Sequence, residues 1–308
     1  MNVNSTAPNT LSCSATRAAP AALGWLAANS PARPYHIFET VCNLINTEGE
    51  VLSLTLAPAE MTPLSLEMKC RDLNMGLTKH IQVNSEVQKL GDQLRVGDLI
   101  IQLGTHDRWN PAPDWEKAKA RTQESQDLVD EITALLLSDH SPDSLAVLLI
   151  PNGFEAQAQA SSWLRTAINP IKTLLDGLER LDSNALQGGA GDLAGLGLGL
   201  TPSGDDFIIG VMHALWMTLD ADRALSLCRK MLSVAAPRTN ALSANYLETA
   251  ARGEAAQAWH TIALAFAQND TANLNSAVEK LIELGHTSGQ DALSGFLLAL
   301  AHIPPGSP

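Results

Sequence analysis

Gly199-Leu-Thr-Pro-Ser-Gly-Asp-Asp-Phe-Ile-Ile-Gly-Val-Met-His-Ala-Leu215 returns, one residue shorter, as Gly285-His-Thr-Ser-Gly-Gln-Asp-Ala-Leu-Ser-Gly-Phe-Leu-Leu-Ala-Leu300. With Pro202 left out of the first copy, Thr201 aligns with Thr287, Ser203 with Ser288, Gly204 with Gly289, Asp206 with Asp291 and Gly210 with Gly295. Each copy is a small polar turn running straight into an apolar helix, so the C-terminal part of the chain reads as a helical pseudo-repeat. Ser203 with Asp206, and Ser288 with Asp291, have capping-box spacing: the Ser hydroxyl is expected to hold a first-turn N–H while the acid returns to the Ser amide. A helix start rich in Gly and hydroxyls leaves backbone donors pointing outward at the positive end of the dipole. Two such starts predict two donor clusters aimed at one anionic ligand. Packing is the competing explanation. Gly210 and Gly295 each cost roughly 0.5–1 kcal/mol relative to Ala inside a helix, and close approach of the two helices there would account for them without a ligand.

Other residues add chemistry that capping does not require. Asp205 puts a second carboxylate in the first turn, and since the capping box uses Asp206, Asp205 is expected to be free for a ligand's amide. His286 sits in the second turn. Between the copies, Arg238-Thr-Asn-Ala-Leu-Ser243 is another hydroxyl-rich helix start, led by a cation able to grip a carboxylate or phosphate with two prongs. A Gly-rich lead, Gln187 to Gly199, runs into the first copy and is expected to let backbone approach a ligand. It lacks the Lys of a Walker loop and the strand–helix–strand setting of a dinucleotide fingerprint.

In this order, Gly-Leu-Thr-Pro-Ser-Gly-Asp-Asp, Arg238-Thr239 with Ser243, and Gly285-His-Thr-Ser-Gly with Asp291 resemble a bacterial family, the AllH-type subunit of oxamate carbamoyltransferase in anaerobic allantoin degradation. The resemblance is strongest from Leu196 to Leu300. Where members often have Gly-Pro-Gly, this chain has Gly197-Leu198-Gly199, which loosens the turn but keeps both glycines. The resemblance implies a complex with two other subunits, one related to acyl-CoA synthetases. It also implies carbamoyl transfer between oxalurate and phosphate, giving oxamate and carbamoyl phosphate. Catalytic roles are then expected for Asp205, Arg238 and His286. Ligand contacts are expected from Gly197, Gly199, Thr201, Ser203, Gly204, Asp206, Thr239, Ser243, Thr287, Ser288, Gly289 and Asp291. No cofactor is called for, and Asp205 with Asp206 make a weak magnesium site without further ligands. Two other readings stay open: a non-catalytic scaffold or partner subunit, and a stand-alone small-anion-binding protein.

The 308 residues suit two domains. Hydrophobic residues at 45% with charged residues at 17% describe a globular protein. A net charge of −13 argues against nucleic acid, whose backbone is held by surplus Lys and Arg. Cys13, Cys42, Cys70 and Cys228 show no paired spacing, so neither a disulfide framework nor a zinc site is expected, in keeping with a cytoplasmic protein. Ala18 to Ala28, preceded by Arg17, has the outline of a signal peptide. Pro20, Gly24 and the single basic residue favour a short amphipathic helix instead. No stretch reaches the roughly 20 apolar residues of a membrane span.

The fold class expected is α+β. Residues 1–14 read as a disordered tail, 15–112 as a small antiparallel β domain (barrel or sandwich), and 113–308 as an α-helical domain carrying the repeat. Strands are expected over His36–Ile45, Val51–Leu56, Thr78–Val83 and Leu99–Leu103, with Asn46–Glu50 as a hairpin turn. The junction is placed at Trp109-Asn-Pro-Ala-Pro113. Helices follow over Asp114–Leu137, over Glu155–Arg180 with an interruption or kink at Pro170, and then from Phe207 onward. His36, His80, His106, His140 and His260 read as structural or surface residues, and His213 as packing inside the first signature helix.

Overall fold

The computed structural model describes residues 11–70, 76–122, 125–156 and 162–306. The chain divides into two units, Met1–Pro111 and Ala112–Pro308. Residues 1–10 of the expected tail lie outside the described residues, as do 123–124 and 157–161 of the expected helices.

The first unit is a nearly closed, barrel-like sheet. Its strands are β1 (Leu11–Ala18), β2 (Ala32–Ile37), β3 (Val41–Asn46), β4 (Val51–Leu56), β5 (Ser65–Cys70), β6 (Val87–Leu90), β7 (Gln93–Val96), β8 (Leu99–Gln102) and the short β9 (Asp107–Arg108). They run in the order β2-β3-β4-β5-β1-β8-β7-β6, with β9 on β1. The sheet is mixed rather than antiparallel throughout, because β4 with β5, β1 with β8 and β1 with β9 pair in parallel. β1 holds the middle of the sheet although its sequence, Leu-Ser-Cys-Ser-Ala-Thr-Arg-Ala, reads as the end of a tail. Leu11, Cys13 and Ala15 point inward while Ser12 and Ser14 face out, so the period of two is present but written in small residues. The first four of its residues thus take the expected tail into the sheet.

The hairpin β3–β4 forms at Asn46–Glu50, where Asn46 Oδ1 accepts from the Glu48 and Glu50 amides. Three further expectations are corrected in this unit: His36–Ile45 is not one strand, because the chain turns at 38–40 and its two halves belong to β2 and β3, which pair antiparallel. Thr78–Val83 is not a strand: Leu77–Lys79 is a 3-10 turn, and Leu77 and Ile81 are buried at a helical rather than alternating spacing. Cys13 and Cys70 form a disulfide, because the β1–β5 register puts them opposite each other with Cα atoms 4.1 Å apart. They are 57 residues apart in sequence, so only the strand pairing reveals them. Helix α1 (Pro20–Ala28) buries Ala22, Trp25 and Leu26.

The second unit is helical: α2 (Trp115–Thr122), α3 (Gln126–Ser138), α4 (Gly153–Ala156), α5 (Ser162–Arg180), α6 (Ser183–Leu193), α7 (Ser203–Thr218), α8 (Ala221–Ala235), α9 (Ala241–Ala251), α10 (Gln257–Gln268), α11 (Thr271–Ile282) and α12 (Ser288–His302). Leu145–Leu148, too short to classify from sequence, is a buried 3-10 turn. Helix α5 is not interrupted at Pro170, which lies inside it. Half of the Gly-rich lead is not loop, since Gln187 to Leu193 complete α6. The core is built around α7 and α12, in which nearly every residue is buried. His213 lies fully buried against the Trp115 ring at 5.6 Å and the Trp259 ring at 4.9 Å, and burial pushes it down to about 3. It is a neutral packing residue. Among the described residues no helix is long and apolar enough to cross a membrane.

Candidate functional site

The pseudo-repeat is a pair of helices crossed at their glycines. A Cβ on Gly210 would overlap the Ala292 carbonyl, and one on Gly295 would overlap the Phe207 carbonyl. Ala292 aligns with Phe207, so each glycine receives the backbone that its counterpart receives from the other helix. Gly204 and Gly289 repeat the pattern six residues earlier, seating on the carbonyls of Leu193 and Leu281. The glycines are therefore explained by close helix packing. The same packing draws the two helix starts together, where the Thr201 and Ser288 hydroxyls hydrogen-bond at 2.8 Å.

Neither capping box forms. Pro202 and Thr287 occupy the N-cap positions, no side chain caps either helix, and the Asp206 and Asp291 amides donate to the Pro202 and Thr287 carbonyls. Ser203 and Ser288 are therefore inside the first turn, one residue too late to cap, and the two acids turn into the interface between the helices. Partners are exchanged there: the Thr201 and Ser288 hydroxyls interact with Asp206, while the Ser203 and Thr287 hydroxyls interact with Asp291. Asp291 Oδ1 also accepts from the Leu145 amide at 2.6 Å. Both acids are buried, and Oδ2 of each has no hydrogen-bond partner. Burial, and after it the Asp291 charge, holds Asp206 well above the usual carboxylate range. Burial pushes Asp291 up to about 7, against the Leu145 amide and the two hydroxyls.

Asp205 plays the reverse of its expected part. It is fully buried, with Oδ1 accepting from the Gly195 amide at 2.9 Å and Oδ2 from the Thr239 hydroxyl. Burial raises its carboxyl and these two bonds oppose the shift. It ties the lead-in loop to the segment that begins α9. Its counterpart by alignment, Gln290, accepts from the Ser141 amide at 2.8 Å, which marks this position in both copies as a strut between segments. That equivalence was present in the aligned sequences as the pair Asp205 and Gln290. Nothing in the sequence points to the Leu145 amide.

Between α6 and α7, Gly195, Gly197 and Gly199 all have positive φ. A Cβ on Gly197 would meet the Ser203 amide and side chain. Among the described residues, the Gly197, Leu198, Gly199, Leu200, Thr201 and Ser203 amides donate to no protein acceptor. Arg238 lies beside this loop rather than over it. Its Nη1 donates to the Gly191 carbonyl at 2.5 Å and to Asp192 at 3.1 Å, and its side chain is 55% exposed. Its Nε and Nη2 make no hydrogen bond among the described residues. His286 is exposed on the second turn. Ser243 is buried in α9, its amide held by the cap residue Asn240 and its hydroxyl interacting with the Asp205 carboxylate. Leu198, Leu200 and Leu284 are exposed apolar residues on the two turns, and Leu198 and Leu284 occupy equivalent places in the repeat. Among the described residues no cluster of three His, Cys, Asp or Glu is placed to hold a metal ion.

No solved structure matches this chain. Residues 193–300, which run from the last residue of α6 to near the end of α12 and contain all three signature segments, match the family described as oxamate carbamoyltransferase subunit AllH.

Proposed function

We propose that this chain is a subunit of an oxamate carbamoyltransferase and that its paired helix starts bind a small anion on the path from oxalurate and phosphate to oxamate and carbamoyl phosphate. The observation that carries this reading is the row of amides without protein acceptors from Gly197 to Ser203, at the mouth of α7 and next to the second turn. Open amides at a helix N-terminus favour an anion through both hydrogen bonding and the dipole. Arg238 supports the same reading, since anchoring by Nη1 leaves its other donors facing solvent beside the loop. His286 stands on the neighbouring turn, exposed and available to a substrate. In carbamoyl transfer, charge gathers on the carbamoyl and phosphate oxygens, and preorganised donors stabilise such charge by a few kcal/mol. Asp205, engaged at both oxygens, holds the loop in shape in this reading.

A second reading is favoured by the exposed Leu198, Leu200 and Leu284. Apolar side chains of this size around a polar opening are what a docking surface presents. In that case this chain contributes the wall of a site completed by the other two subunits, one of them related to acyl-CoA synthetases, as the resemblance implies.

Two measurements test these readings: calorimetry of the full chain with inorganic phosphate and with oxamate, and carbamoyl phosphate formation by the chain alone and with its partner subunits. The anion reading expects phosphate binding that Thr201→Val and Arg238→Ala weaken. Binding by neither ligand, with activity arising only on assembly, would move the chemistry to the partners.

A further inference from the structure

Packing of the repeat does not by itself require the two acids buried in it. Asp206 and Asp291 come from equivalent positions of crossed helices, and each interacts with a hydroxyl from the other copy. Each also retains one oxygen that no donor satisfies. A buried carboxylate oxygen without a donor is costly, and two such groups close together are relieved when one proton serves both. Burial raises both carboxyls, and the Asp291 charge adds to the effect on Asp206. The segments packed around the pair bring little other charge. Leu193 of α6, Leu281 of α11, the Leu145 amide and Ser243 of α9 are neutral, and Asp205 on α7 is the one further charged group that acts on Asp206. Arg238 is held outward on Gly191 and Asp192.

A route outward exists. Asp206 interacts with the Ser288 and Thr201 hydroxyls, these hydrogen-bond to each other at 2.8 Å, and Thr201 opens onto the loop of free amides. We propose that Asp206 and Asp291 hold one proton between them and exchange it with the anion site through the Ser288 and Thr201 hydroxyls. This rests on the carbamoyltransferase reading, in which it supplies the acid–base step. Phosphate oxygen attacks the carbamoyl carbon, the C–O bond forms and the C–N bond breaks, and its electron pair goes to the amide nitrogen of the leaving group. That nitrogen takes the stored proton through Thr201 and Ser288, and the proton of the attacking phosphate hydroxyl returns by the same hydroxyls to the pair. The transfer is neutral in protons overall, and no oxidant or further reactant enters.

The test has two arms. Infrared titration of the isolated full chain reads the pair without any activity: a protonated-carboxyl band should persist above the ordinary carboxylate range, shrink in Asp206→Asn to the part that Asp291 alone holds up to about 7, and change in position or titration in Asp291→Asn. Absence of that band, or a titration left unchanged by both Asp206→Asn and Asp291→Asn, overturns the shared proton. In the assembled complex, Asp206→Asn should lower turnover by about 10²–10⁴-fold, the usual weight of a positioned acid–base group. Ser288→Ala, and Thr201→Val at saturating phosphate, should lower turnover while a protonated-carboxyl band is retained, so the relay remains testable even if Asp206→Asn folds poorly. The pH–rate profile of the parent should show an ionisation near the Asp291 value of about 7 that Asp291→Asn lacks. Parent-like turnover in both hydroxyl variants overturns the relay. A parent complex that makes no carbamoyl phosphate defeats the carbamoyltransferase reading, while the infrared arm still decides whether the proton is shared.

Discussion

The two copies of the repeat cross each other by the same contacts and differ in what they offer at the surface. In both, a helix glycine lies on a carbonyl of the other helix, a first-turn glycine lies on a carbonyl of the preceding helix, and a buried acid turns inward. In both, the residue before that acid spans to a neighbouring segment, Asp205 to Gly195 and Gln290 to Ser141. The first copy alone is preceded by the run of positive-φ glycines and open amides. The second is entered by the short turn Gly285–Thr287 with exposed His286. Symmetry therefore belongs to the scaffold, while the open amides are concentrated on the first copy.

The largest effects should come from breaking the crossing itself. Gly210→Ala and Gly295→Ala each push a methyl group into a backbone carbonyl that no rotamer change can move. Each should cost at least the upper part of the about 1–3 kcal/mol typical of overpacking, and by about the same amount, because the contacts are equivalent. Thermal denaturation of the two variants checks this, and a large inequality between them would show that the symmetry is only apparent.

Next come the struts. Asp205→Ala leaves the Gly195 amide and the half-buried Thr239 hydroxyl without their acceptor and should destabilise by about 1–2 kcal/mol. Gln290→Ala removes one short bond to the Ser141 amide and should cost less. If Asp205→Asn instead folds like the parent and loses only turnover, Asp205 is a catalytic group and not a strut.

The inward acids predict an unusual pH dependence. Asp291 titrates near 7 when folded and near about 3.9 when unfolded, so the folded state binds the proton more tightly. Its contribution to stability is fully present below about pH 4 and is lost as pH rises through 7. Asp206, also held well above the usual carboxylate range by burial, acts in the same direction. The Tm of the parent should fall across this window, and Asp291→Asn should flatten the fall. A parent Tm that rises from pH 4 to pH 7 by the full amount that Asp291→Asn abolishes would reverse the assignment.

Smaller effects distinguish the two turns. Leu198→Ser and Leu284→Ser should leave Tm nearly unchanged, as both side chains are exposed. Weakened assembly with partner subunits, read by sedimentation, would favour the docking reading. Arg238→Lys should change stability least, by about 0–1 kcal/mol, since its pair with Asp192 is exposed. Any marked effect should appear in phosphate affinity, because the planar fork is lost.

The sequence alone determined the helical repeat, the reciprocal glycines and the family resemblance, because each is a local pattern: hydrophobic period, turn residues and their spacing. Helices from α7 onward lie close to where the apolar runs put them, and the hairpin at Asn46–Glu50 is set by its turn. What the tertiary structure decided depends on partners distant in the chain. β1 is a strand because β5 and β8 flank it, and its small residues carry little strand preference of their own. The Cys13–Cys70 bond exists because of that same register. At the site, capping-box spacing could not reveal that Pro202 and Thr287 would take the cap positions and shift both serines one place inward. Once shifted, the acids had to find partners across the helix crossing, and Asp205, expected to be free, was claimed by Gly195 and Thr239. Which carboxylate is tied and which is left with an open oxygen is settled by burial and by the segments packed nearby, and no spacing rule within a single helix contains that information.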